Sequence, residues 1–239
     1  MISEYLQIWN KFSAEKERFI SASQNGEGRF WEATERDGFL LLLFVRINSL
    51  CDEFMFLVEN RRLVSAPIVL RSILEAWLDF HCLLDDASYI NDIIGSEAKE
   101  LKKLYQSYSH NKNSPYFQHL NAEFCAEMLS KINEYSWGNN LNIYEKFKKY
   151  DLIDGKQSEG AYRAVYGRLC MDAHGNLSAL KLNHLKDNGQ AISIKEHSES
   201  YLKFLITTAA RAGIQSFISL LEDKNYETDY YVTVRDSFV

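Results

Sequence analysis

The sequence predicts an all-α fold, a bundle of about six to eight helices, and three observations carry that prediction. Apolar residues recur at intervals of three and four over long spans. Only two prolines and eleven glycines in 239 residues are present to interrupt those spans. Long β-branched runs that would favour strands are few. Hydrophobic residues at 46% and aromatics at 13% are ample for a sizeable core. We read residues 1–223 as one helical domain and 224–239 as a tail.

Residues 2–22 place Ile2, Tyr5, Leu6, Trp9, Phe12 and Phe19 at helical intervals among charged residues, which describes an amphipathic helix. Residues 23–28 read as a loop. A second helix is expected from Phe30 to about Asn60, apolar on most sides at its centre as befits an element covered by several neighbours. Ser65 suits an N-cap and Pro67 the first turn, where the missing N–H costs nothing, so a third helix starts near Ala66. Its stripe Ala66, Leu70, Ile73, Trp77, Phe80 and Leu84 is apolar, and Arg71, Glu75 and Asp79 form a second, polar stripe. Residues 88–108 make a charged amphipathic helix, and residues 119–135 another. A short basic helix within 139–152 precedes the polar linker 155–160. The stretch AYRAVYGRLCMDAHGN, residues 161–176, reads as a core helix ended by His174 and a Gly-Asn turn. A DNG turn at 187–189 predicts a small hairpin within 184–195. A last long helix is expected at 197–221, with small residues that permit close packing. The β-prone, aromatic tail is expected to be disordered or to dock on a protein partner.

The formal net charge of −6 argues against non-specific grip on long nucleic acid, which needs many cationic contacts, but leaves a short local contact open. Cys51, Cys82, Cys125 and Cys170 lie apart among apolar neighbours without a CxxC pair, as reduced core thiols do. The N-terminus lacks the basic start and apolar centre of a secretory signal, so a cytoplasmic protein is expected. Residues 39–45 are the most apolar run. Arg46 and Asn48 break it far short of the roughly 20 residues of a spanning helix, so no membrane is expected.

His174, at the end of its helix, is the first candidate for chemistry. An imidazole titrates near neutrality and can move a proton without a metal. Arg168 stands six residues earlier, a spacing that resembles the Arg-His motif of HEPN ribonucleases. On an ideal helix the two lie about 120° apart, so a frayed end or a second chain is needed to bring them together. Arg163, eleven residues before His174, falls within about 20° of its face and is a rival partner. The simpler readings are an Arg168–Asp172 ion pair at i, i+4 and a histidine that caps a helix C-terminus. No glutamate precedes a histidine by three residues, and no P-loop, GxGxxG or GxSxG is present, so neither metal nor cofactor is expected.

The combination of LVSAPIVLRSILEAWLDF with YRAVYGRLCMDAHGN resembles bacterial domain-of-unknown-function family 5677, associated with HEPN-like folds. Arg71 and Glu75 match its arginine–glutamate helix, and Tyr166, Cys170 and His174 match its tyrosine, small-residue and histidine pattern. A serine is commoner in that pattern where Cys170 stands, and Arg168 lies outside its fixed part. The resemblance implies a homodimeric, metal-independent RNA-cleaving enzyme of toxin or phage-defence systems. In it His174 would move protons, an arginine would stabilise phosphate charge, and Arg71, Glu75, Tyr166 and Cys170 would support them. A non-catalytic helical module that binds a protein or a small effector is the other reading left open.

Overall fold

In a computed structural model the chain is described over residues 2–24, 34–134, 141–150, 162–192 and 197–238. These residues form ten α-helices and no strand: α1 Ile2–Gln24, α2 Glu35–Glu59, α3 Ala66–Asp85, α4 Ile90–His110, α5 Ala122–Glu134, α6 Ile143–Lys149, α7 Gly167–Ala173, α8 Leu177–His184, α9 Glu199–Asp223 and α10 Asp229–Asp236. The all-α prediction is met. Ser23 and Gln24 of the predicted loop 23–28 are the end of α1, and the second helix starts at Glu35 rather than continuing from Phe30, because Thr34 is its extended N-cap; residues 25–28 and the linker 155–160 lie outside the described residues. The chain groups into two compact units rather than one, Met1–Asp85 with Ile143–Val239, and Asp86–Asn142.

The larger unit is built on α2, α3 and α9, each packed on the other two. Thr34 and Asp37 form a reciprocal capping box at the start of α2, and Ser198 accepts the Tyr201 N–H at the start of α9. Leu40, Phe44, Ile47, Leu70, Ile73, Phe80, Ile214 and Phe217 are buried between them. Each such side chain contributes about 1.5–3 kcal/mol by leaving water. α9 is long and apolar enough to cross a membrane, but 72% of its apolar stretch is buried in the unit, as in a core helix.

The small residues of α9 do admit a close neighbour. A Cβ on Gly213 would lie 2.8 Å from the Trp9 ring and 3.1 Å from Cys51 Sγ. α1 is fixed there by polar bonds as well, since Trp9, Ser13 and Lys16 all donate to Asp52 of α2, at 2.8, 3.0 and 2.5 Å. Lys16 is 1% exposed, and its charge is answered there by Asp52 and, at 3.7 Å, by Glu17.

The tail is neither a strand nor loose. Residues of the β-prone YYVTV form α10, because a helix lets Tyr231 meet Phe217 at 4.8 Å and Phe12 at 6.5 Å. Phe238 stacks on Tyr5 at 5.5 Å, and Arg235 donates to Gln215 at 2.7 Å. Tertiary contacts have overridden a local strand preference.

The smaller unit has its own core. Ala98, Tyr105 and Tyr108 of α4 meet Cys125 and Ile132 of α5, and Tyr105 meets Phe124 edge to face at 6.2 Å. Asn121 caps α5, and Pro115 opens a short 3-10 turn between the helices.

The predicted hairpin shrinks to one antiparallel bridge, Leu185 with Ala191, around Gly189 at φ +81°; residues 193–195 lie outside the described residues. Only His184 of its first arm is helical, as the last residue of α8, a helix the sequence reading did not foresee.

Candidate functional site

The candidate site is organised by α7 and what enters and leaves it. A wide π-helical turn, Tyr162–Tyr166, leads into α7. Such turns add a residue to the helical repeat and are frequent at functional sites. At the other end the N–H of Gly175 donates to Asp172 and that of Asn176 to Met171, a left-handed C-terminal motif that Gly175 permits at φ +57°. Asn176 then caps α8 by accepting the Ala179 N–H at 3.0 Å. Two helices therefore share a three-residue corner, His174 to Asn176.

One face of α7 and its entry turn looks at α3. The Tyr166 hydroxyl donates to Glu75 Oε1 at 2.5 Å. Arg71 Nε donates to the same Glu75 oxygen at 3.0 Å and to the Tyr166 oxygen at 3.3 Å, while its guanidinium lies over the Tyr166 ring at 5.5 Å. Burial first, and then the bond to Glu75, push the Tyr166 phenol well above its ordinary range, so it remains a donor. Cys170, half-buried, lies near both Arg71 and Tyr166. Four of the predicted site residues are thus brought together. Arg71, Glu75 and Tyr166 bond to one another, which makes the group a clamp between α3 and α7. One turn on, Lys146 of α6 donates to Asp79 at 2.5 Å, so the polar stripe foreseen on α3 is an internal face.

The other face of α7 looks at α8 and α9. Arg168 lies beside Asp172, Nε to Oδ2 3.9 Å, and Asn183 of α8 donates to the other Asp172 oxygen at 3.4 Å. The Asp172 side chain is 1% exposed, and burial holds its carboxyl above the usual range although Arg168 and Asn183 oppose the shift. Arg168 Nε and Asp172 Oδ2 are buried and make no hydrogen bond among the described residues.

Arg168 opens onto a cavity of about 480 Å³ with Ala164, Leu182, His197, Ser198, Tyr201 and Phe204 as its other walls. The His197 and Tyr201 rings lie 5.2 Å apart. The Tyr201 hydroxyl is pushed up to about 12, by burial first and then by the Asp172 charge, against the pull of Arg168. A guanidinium, an imidazole and a phenol that stays protonated thus face one space. The start of the 25-residue α9 is at the same wall. This is a setting for an anion.

His174 is placed elsewhere. It is the exposed C-terminal cap of α7, its N–H bonded to Cys170 O at 3.0 Å, and it is not among the cavity walls. Arg163 is exposed on the π turn, so the angle reckoned from an ideal helix does not describe it. The Arg168–Asp172 pair foreseen as the simpler reading of Arg168 is present. Sequence reasoning did not single out His197, Tyr201 or Asn183 as site residues, and Asp172 only as the partner of Arg168. The one available signal was the His-Ser pair just before a long helix, which put an imidazole beside an N-cap.

No group of three or more metal-ligating side chains occurs among the described residues. Residues 37–192 match the family of unknown function DUF5677. No curated protein and no solved structure matches the chain.

Proposed function

Since this chain belongs to the family of unknown function DUF5677, we propose, from its own geometry, that it is a metal-independent RNA endonuclease of bacterial toxin or phage-defence systems. The observation that carries the reading is the cavity in which Arg168, with its unsatisfied Nε, faces His197 and Tyr201.

Cleavage by the RNA itself needs little from the protein. The 2′-oxygen attacks the adjacent phosphorus, the bond from phosphorus to the 5′-oxygen breaks, and a 2′,3′-cyclic phosphate and a 5′-hydroxyl result. One group takes the 2′-hydroxyl proton, another gives a proton to the leaving 5′-oxygen, and a cation steadies the phosphorane charge. Arg168 supplies the cation, and the Tyr201 hydroxyl donates to a phosphoryl oxygen. His197 supplies one proton transfer, a role worth roughly 10²–10⁴ in rate. His174 supplies the other from a second copy of the chain. That requirement is why the working form is taken to be a homodimer.

Complementation tests this arrangement. His197→Ala and His174→Ala should each abolish cleavage of RNA in EDTA, and mixing the two variants should restore part of it. A mixed dimer retains one site with both imidazoles. Full activity of His197→Ala would remove the cavity from the mechanism, and a strict monomer by light scattering would remove His174. Arg168 already carries Asp172 as a counterion, which suits reversible binding and favours a second reading, a non-catalytic module for a small anionic effector. Binding of a mononucleotide that depends on Arg168, with no cleavage by wild type, would establish that reading instead.

A further inference from the structure

Beside the cavity lies a surface that the cleavage chemistry does not use. α6 and the π turn set aromatic rings in a row: Tyr144 meets Tyr162 edge to face at 5.1 Å, and Tyr162 stacks on Tyr166 at 5.7 Å with 23° between planes. Phe147, fully buried, holds the row from behind, 5.8 Å from Tyr162 and 5.5 Å from Tyr166. Tyr144 and Tyr162 are half-buried, so each is fixed on one side and open on the other.

Cations alternate with these rings. Lys148 Nζ lies 4.5 Å over the Tyr144 ring, and Lys148, Lys149 and Arg163 are exposed. Lys146 is committed to Asp79, and Glu145 is the one acidic residue of α6. In a chain of net charge −6 this is a local reversal of sign. Arg163 is followed at once by Ala164, a wall of the cavity, so the row of rings and cations leads to the cavity's edge.

We infer that Tyr144, Tyr162, Lys148 and Lys149 form a subsite for single-stranded RNA, which takes the unpaired bases next to the phosphate held at Arg168. Flat rings anchored from behind accept a base on their open face whatever its identity, and flanking cations take the phosphates between bases. A base that stacks on Tyr144 displaces the Lys148 ammonium from the ring to the neighbouring phosphate, so both contacts form in one event. Paired RNA cannot use the surface, because its bases stay stacked on one another. An acidic peptide would satisfy the lysines and leave the rings idle.

The inference rests on the proposed RNA-cleaving activity only for what the subsite serves, and the two are tested apart. The binding probe is a labelled, 2′-O-methylated uridine decamer, which cannot be cleaved, followed by fluorescence anisotropy with the full chain in EDTA. Tyr144→Ala should weaken binding about tenfold or more, as should Lys148→Glu with Lys149→Glu, with melting temperatures near wild type. A duplex of the same length should bind more weakly and respond little to Tyr144→Ala. Wild-type affinity in both variants overturns the inference, as does absence of decamer binding by wild type. Equal, Tyr144-dependent binding of polyglutamate overturns it too.

In cleavage assays the same variants should lose rate on an unmodified decamer and not on a dinucleotide. If wild type cleaves neither substrate while decamer binding still depends on Tyr144, the cleavage proposal fails and the subsite stands. If cleavage proceeds and the variants cleave the decamer at the wild-type rate, the subsite alone fails.

Discussion

At the scale of single residues, the two faces of α7 differ in what their polar groups still lack. Tyr166 completes a closed set with Arg71 and Glu75. Tyr166→Phe removes two hydrogen bonds but leaves Arg71 and Glu75 paired and partly in water, at 27% and 38% exposure. The expected cost is therefore about 1–2 kcal/mol in urea unfolding, with the fold retained. Asp172 is the opposite case. Burial holds its carboxyl above the ordinary range despite Arg168 and Asn183, so the folded state binds the proton more tightly than the unfolded chain does. Ionisation then costs stability as pH rises above the unfolded value of roughly 4. Melting of wild type and Asp172→Asn at pH 4 and pH 6 should show wild type losing ground to the variant over that interval. Of the residues singled out from sequence, Arg71, Glu75, Tyr166 and Cys170 do converge, because helical spacing and the family pattern both mark them. The Arg168 cavity was illegible, since His197, just before α9, and Tyr201, in its first turn, lie more than twenty residues away in sequence.

Elements meet through contacts that spacing alone does not specify. Small residues in α9 were visible as a sign of close packing, but not that Trp9 of α1 would fill the gap. Gly213→Ala should destabilise by about 1–3 kcal/mol in urea unfolding, because the clash is with a rigid, buried ring. At the other end of α9, Asp223 accepts from Arg36 at 2.9 Å and Lys224 donates to Asp37 at 2.8 Å, tying α9 to the start of α2. Burial raises both carboxyls, and their bonds to Arg36, Lys224 and Thr34 outweigh it and hold them low. A depressed folded value contributes stability above the unfolded value of roughly 4, lost as pH falls through the folded one. Asp223→Asn should thus lower the melting temperature at pH 7 and make little difference near pH 2. The π turn escaped the sequence reading for a related reason. One extra residue in a turn changes no composition and breaks no apolar pattern, yet it re-aims every side chain before it.

On the scale of the whole molecule, periodicity foretold the helices that carry a long apolar stripe, α1 to α5 and α9, and also the short α6 and α7, but it missed α8 and α10. α8 has little amphipathic signal over eight residues, and α10 was hidden by strand-forming residues whose tertiary contacts decide their conformation. The two separate cores predict two stability classes. Tyr105→Ala should speed amide hydrogen exchange across residues 98–132 and leave α3 and α9 at wild-type rates, as read by mass spectrometry. The corner at Gly175 and Asn176 has a mechanical meaning as well. With no slack between them, α7 and α8 behave as the two arms of one bent lever, pivoted at the only backbone angle there that a side chain resists. A ligand that enters the cavity past Leu182 is expected to press on α8 and so to shift Arg168 and Asp172 on α7.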